Sequence, residues 1–163
     1  MSEQPVSGPL DALDLRILDL LQHDASLSNQ ALAERVHVSP ATCLRRVKRL
    51  QEAGVIERQV AILSPQHLGH GLGAILEVTL DQQAAERLAA FQTRAAADAA
   101  VQQCYRVSPG PDFVLIVQVA DMAAYNAMVE RLLSQDANVR NVRSFFITQR
   151  ARFTTQLPLP AAP

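Results

Sequence analysis

The chain has 163 residues, 48% of them apolar, with 15 basic against 16 acidic side chains and a net charge of −1. That length permits one large domain or two small ones with real cores, and the near-neutral total excludes a chain that is basic throughout. No apolar run approaches the about 18 residues of a membrane span, residues 1–10 hold no hydrophobic leader core, and Cys43 and Cys104 lie far apart without metal-type spacing. A reduced, cytoplasmic protein with no metal, cofactor or membrane partner is expected.

Residues 1–10 are expected to form a flexible arm. Asp11, with Asp14 three residues on, makes an acidic helix start. Leu13, Ile17, Leu20 and Leu21 then give a helical face to about residue 22. Ser28 caps a second helix carrying Leu32, Ala33 and Val36. After the tight break at His37-Val38-Ser39, Ser39 caps a third helix and Pro40 takes its first position, where the missing N–H costs nothing. Leu44, Val47 and Leu50 recur there at helical spacing, and Gly54 suits a left-handed cap. Thr42, Arg45, Arg46, Lys48 and Arg49 point elsewhere. From Arg35 to Arg58 six cations face only Glu52 and Glu57, a local +4. Two short helices joined by a tight turn, the second cationic, form a helix-turn-helix layout. Its expected core is Leu13, Ile17, Leu21, Leu32, Val36, Leu44, Val47 and Leu50. Val55-Ile56 and Val60-Ala61-Ile62-Leu63 then predict strand, ended by Ser64-Pro65, with a linker near residues 55–66.

The second half has another rhythm. Leu72 to Leu80 predicts a strand, 82–98 an Ala-rich helix with Leu88 and Phe91, and Val101 to Ser108 a strand. Ser108-Pro109-Gly110-Pro111-Asp112 is a turn. Phe113 to Ala120 is a nearly continuous apolar run, typical of a central strand. Asp121 caps a helix with the face Met122, Tyr125, Val129, Leu132 and Leu133, and Val139 to Arg150 is a last strand. The order β-α-β-β-α-β is the ferredoxin-like arrangement, so the fold class is α+β. The expected domains are 11–63 and 64–156, with a tail at 157–163.

The chain resembles the Lrp/AsnC family of transcriptional regulators from about Leu10 to Leu159. The matching pieces are Leu10-Asp11-x-x-Asp14-x-x-Ile17-Leu18, Ala31-Leu32-Ala33-x-x-Val36, Ser39-Pro40-x-x-Cys43-x-x-Arg46-Val47-x-x-Leu50-x-x-x-Gly54-x-Ile56, Leu68-Gly69, Asp112-Phe113, and Val119-x-Asp121-Met122-x-x-Tyr125. The resemblance implies a winged helix-turn-helix domain that binds double-stranded DNA. It also implies a ferredoxin-like αβ-sandwich (RAM-type) domain that oligomerises and senses small molecules, usually amino acids. The resemblance further implies that the sheets pair into homodimers that assemble further, commonly to octamers. His37 and Pro109 stand where relatives often have Gly, and Pro109 reshapes the effector loop.

The DNA-binding candidates are Ser39, Thr42, Arg45, Arg46, Lys48 and Arg49. Thr42 and Arg45, near the helix N-terminus, suit base edges, since paired arginine donors fit guanine. Arg46 and Arg49 flank the apolar stripe and suit phosphate contact or bracing. By resemblance the effector candidates are Ser108, Pro109, Gly110, Asp112 and Gln149, with Asp112 holding an ammonium group and loop N–H groups a carboxylate. The plainer alternative is a turn in which Asp112 caps its own backbone. Cys43 is expected in the core. His67 and His70 lack companions for a metal, and Gly69-His70-Gly71-Leu72-Gly73 precedes a strand instead of following one, unlike a dinucleotide loop. No nucleophile–base pair or acid pair marks an enzyme. The expected function is a sequence-specific regulator responding to an amino acid; an architectural DNA-organising protein of the same fold is the alternative.

Overall fold

The computed structural model describes residues 9–160; most of the expected arm, and residues 161–163 of the expected tail, lie outside them. Three helices follow one another in the first part: α1 (Ala12–His23), α2 (Asn29–Val36) and α3 (Pro40–Glu52). Each begins on the side-chain cap that its sequence supplies. Asp11 accepts from the Asp14 N–H at 2.9 Å and Asp14 accepts from the Asp11 N–H at 3.1 Å, a reciprocal box that satisfies two free donors. Ser28 accepts from Ala31, and Ser39 from Thr42.

Helices α2 and α3 both end in a left-handed residue. Gly54 (φ 70°) closes α3, with the Val55 N–H bonding the Leu50 carbonyl and the Gly54 N–H bonding that of Gln51. His37 (φ 59°) closes α2 the same way, through Val38 to Ala33 and His37 to Glu34. The tight turn thus survives without glycine, at some strain.

The helices enclose Ile17, Leu32, Ala33, Val36, Cys43 and Leu50, with Leu13, Leu21 and Val47 half-buried beside them. Leu44 departs from expectation and lies exposed. Cys43 fills the line facing α1 and α2 in its place. Its thiol is pushed up from the ordinary value by burial, so it serves as a small core residue. The strands expected at Val55-Ile56 and Val60–Leu63 are also absent: 55 and 56 form a bend that closes α3. Residues 57–64 carry no regular structure, and Val60, Ile62 and Leu63 are exposed. A strand requires a partner edge, and among the described residues these have none.

The second unit is a four-stranded antiparallel sheet of β1 (Leu72–Leu80), β2 (Val101–Arg106), β3 (Phe113–Val119) and β4 (Val139–Phe146), in the order β2-β3-β1-β4. Helices α4 (Ala85–Ala97) and α5 (Met122–Val129) cover one face. Ala74, Leu76, Val78 and Leu80 of β1 and Phe113, Leu115, Val117 and Val119 of β3 point into that core, as the two-residue period requires. Phe91 of α4 lies 4.8 Å from Phe113, ring centroid to centroid. After α5 the chain runs on through a π-helical turn, Glu130–Ser134, whose wider turn accompanies burial of adjacent Leu132 and Leu133. Met122, expected on the buried face, is exposed, and Met128 is buried in its stead.

The chain divides into two compact units: one up to Ile62 that also takes in the segment from Arg152, and Leu63–Ala151. Residues 152–156, expected with the sheet, therefore group with the helices, and the Leu157 N–H donates to Gln22 of α1 at 2.9 Å.

Candidate functional site

Helix α3 presents two chemically different sides. Its outward line is Ala41, Leu44, Arg45 and Lys48, all exposed. Among the described residues Arg45 has no ion-pair partner, and Lys48 is paired only with exposed Glu52, at 3.6 Å. The first turn is fixed by the cap: Ser39 Oγ donates to Thr42 Oγ1 at 2.9 Å, leaving Thr42 half-buried beside the outward line. Asn29 Nδ2 donates to the Pro40 carbonyl at 2.9 Å and ties the start of α2 to the start of α3.

The opposite flank carries an ion-pair network. Asp14 of α1 is fully buried, and its carboxylate receives Arg46 Nη1 at 3.1 Å and Arg49 Nη2. Arg46 Nη1 also reaches Asp11. The Asp11 carboxyl is held below its ordinary 3.8, first by the Asp14 backbone N–H and then, against a desolvation cost, by Arg46; Arg46 is in turn raised, first by Asp11. Of the six DNA-binding candidates, Arg46 and Arg49 are thus committed to bracing α3 against α1. Their side chains keep only 26% and 39% exposure. Arg45, Lys48, Ser39 and Thr42 remain on or beside the open side.

In the sheet unit the turn between β2 and β3 is exposed at Ser108, Pro109 and Gly110. Gly110 takes φ 125°, which a side chain would oppose. Asp112 is anchored to the far end of β1. Its N–H donates to Val78 at 2.9 Å, and its Oδ2 accepts from the Leu80 N–H at 2.7 Å. The Asp112 carboxylate thus caps the end of β1 and not its own turn, and among the described residues its hydrogen bond is made through Oδ2.

Gln149 is not brought to this turn. It follows Ile147, whose N–H bonds Gly73 at the beginning of β1. The five residues from Gly73 to Val78 span about 17 Å of strand, so Gln149 and Asp112 lie at opposite ends of the sheet within one chain.

The sheet face away from the helices carries Ile75, Val114, Ile116, Tyr105 and Phe145, by the observed registers. Tyr105 and Phe145 are exposed, and Arg143 bridges Glu77 at 3.2 Å and covers the Phe145 ring.

Residues 10–57 match the winged helix-turn-helix DNA-binding family, and residues 73–157 match the Lrp/AsnC ligand binding domain, about half of the chain. The chain belongs to the Lrp/AsnC family. It is 35% identical to the Escherichia coli DNA-binding transcriptional activator DecR, over 92% of this chain and 99% of that protein. It is 33% identical to the E. coli leucine-responsive regulatory protein, over 91% and 90%. A transcriptional regulator from Neisseria meningitidis, solved in complex with L-Met, superposes with a TM-score of 0.86 at 33% identity, covering 92% of this chain and 97% of that one.

Like its Lrp/AsnC relatives, then, this chain is a DNA-binding transcriptional regulator with a ligand-binding domain. Two residues of this Lrp/AsnC chain escaped the sequence pattern. Asp14 signals a helix cap, and nothing in its spacing announces that it also gathers two arginines from 32 and 35 residues away. Asn29 looks like the first residue of a helix; only the fold brings Pro40 beside it. No described helix is long and apolar enough to cross a membrane.

Proposed function

We propose that the regulator reads DNA with the outward line of α3 and changes its DNA affinity or assembly on binding an amino acid at the sheet unit. The observation that carries the first half is the division of labour on α3. Arg46 and Arg49 are neutralised by Asp11 and Asp14, while Arg45 and Lys48 stay outward. Arg45 and Thr42 reach base edges, Ser39 sets the approach of the helix N-terminus to the backbone, and Lys48 meets phosphate.

For the second half, the exposed Ser108-Pro109-Gly110 turn supplies backbone donors for a carboxylate and Asp112 Oδ1 an acceptor for an ammonium group. Gln149 joins them only from another copy, because within one chain it follows the strand end on the opposite side of the sheet. The ligand-binding match and the L-Met complex of the Neisseria relative support an amino-acid effector. The open sheet face with Ile75, Ile116, Tyr105 and Phe145 is the homodimer surface, and Val60, Ile62 and Leu63 gain cover in the assembly. Its role is regulation and not catalysis.

The test is fluorescence anisotropy on an operator selected from genomic fragments. Arg45→Ala is expected to lose discrimination at one base position while keeping weak, salt-sensitive binding to any duplex. Unchanged discrimination in that variant would remove α3 from the reading role.

A further inference from the structure

Leu44 stands on the side of α3 where a core residue has no place. Leu44 is 59% exposed, although leucine, valine and leucine at 44, 47 and 50 form a helical repeat. The buried line instead passes through Cys43, Val47 and Leu50. Leu44 shares the outward line with Ala41, Arg45 and Lys48, one turn in from the Ser39 cap. Apolar surface left in water on a functional helix gains by being covered.

The neighbours narrow down the cover. Arg45 is adjacent and has no ion-pair partner among the described residues, and Lys48 lies one turn further on. Two outward cations beside the leucine favour a polyanion over an apolar protein groove. The DNA major groove offers one apolar feature, the C5 methyl group of thymine. We infer that Leu44 is a specificity-determining residue that packs on a thymine methyl next to the base contacted by Arg45. The inference rests on α3 being the reading helix.

The methyl group can be removed without disturbing base pairing. In duplexes carrying the selected operator, each thymine is replaced in turn by deoxyuridine, and binding is measured for the full-length wild type, Leu44→Ala, Leu44→Met and Arg45→Ala. One buried methyl corresponds to about a fourfold change in affinity. The wild type should lose about fourfold at one thymine per half-site. Leu44→Ala should bind the unmodified operator about fourfold more weakly and be indifferent to deoxyuridine at that same position. Leu44→Met, which keeps apolar reach, should stay sensitive there. Circular dichroism should show all variants folded, since Leu44 contributes nothing to the core.

Two results overturn the inference: a Leu44→Ala protein that responds to every replacement as the wild type does, or one weakened equally on operator and random DNA, which would mean that the leucine meets backbone or another protein chain. Arg45→Ala separates the failures. If it relaxes discrimination while Leu44→Ala does not, only the leucine assignment falls; if neither variant differs from the wild type, α3 is not the reading helix.

Discussion

Replacing Asp14 by alanine should loosen the DNA-binding unit more than any surface change on it. The carboxylate is fully buried and holds Arg46, Arg49 and the Asp11 N–H at once. Removing one partner of a buried ion pair costs about 3–5 kcal/mol, because the other charge is left unpaired. Two features lower that figure here. Arg46 keeps Asp11, and both guanidinium groups retain some access to water. A loss of about 2–4 kcal/mol follows, a large share of the stability of a small domain, equivalent to roughly 10–25 °C in melting temperature. Asp14→Asn keeps an acceptor for the Asp11 N–H and should lose less. Because the chain has two units, a single unfolding curve is a poor assay. Native-state hydrogen exchange of the full chain resolves α1 and α3 from the sheet. Protection in those helices should fall by the stated amount while the sheet is unchanged. A loss below about 1 kcal/mol would refute the bracing role and return Arg46 and Arg49 to DNA contact.

Two further changes probe the turn and the open sheet face. His37→Gly relieves the left-handed backbone at the turn and should raise the stability of the helical unit by about 1 kcal/mol, measured by the same exchange; a loss would mean that the imidazole makes a stabilising contact. Ile116→Asp places a charge in the middle of the sheet face without entering the core, and should halve the mass seen in light scattering while circular dichroism is preserved. An unchanged mass would exclude that face as the dimer surface.

The caps made the helices legible before any coordinates. Asp11, Ser28 and Ser39 each sit where a side-chain oxygen finds an unpaired N–H, and Gly54 where only a left-handed residue closes the helix. The element order β-α-β-β-α-β followed from apolar runs and turn signals, and β1 and β3 show the alternating burial of covered strands. Periodicity alone could not choose between Cys43 and Leu44, since either continues a stripe through Val47 and Leu50; packing against α1 and α2 selected the smaller residue. Nor can a sequence tell a cation that meets DNA from one that meets a buried carboxylate, and the partner of Arg46 and Arg49 lies a helix and more away. The strand at Val60–Leu63 failed because strand propensity is realised only against an edge. Asp112 and Gln149 are close to the ends of neighbouring strands in sequence logic, but antiparallel pairing on either side of β1 sends them to opposite ends of the sheet.

The most direct test of an amino-acid-responsive DNA regulator is the affinity of the full-length chain for its selected operator, measured with each of the twenty amino acids in turn. A specific complex whose affinity or stoichiometry is shifted by one or a few amino acids, with the shift lost when the negative charge of Asp112 is removed as Asp112→Asn, is the expected result. A specific complex indifferent to all twenty would contradict the sensing half, and no preference for operator over random duplex at physiological salt would contradict the reading half.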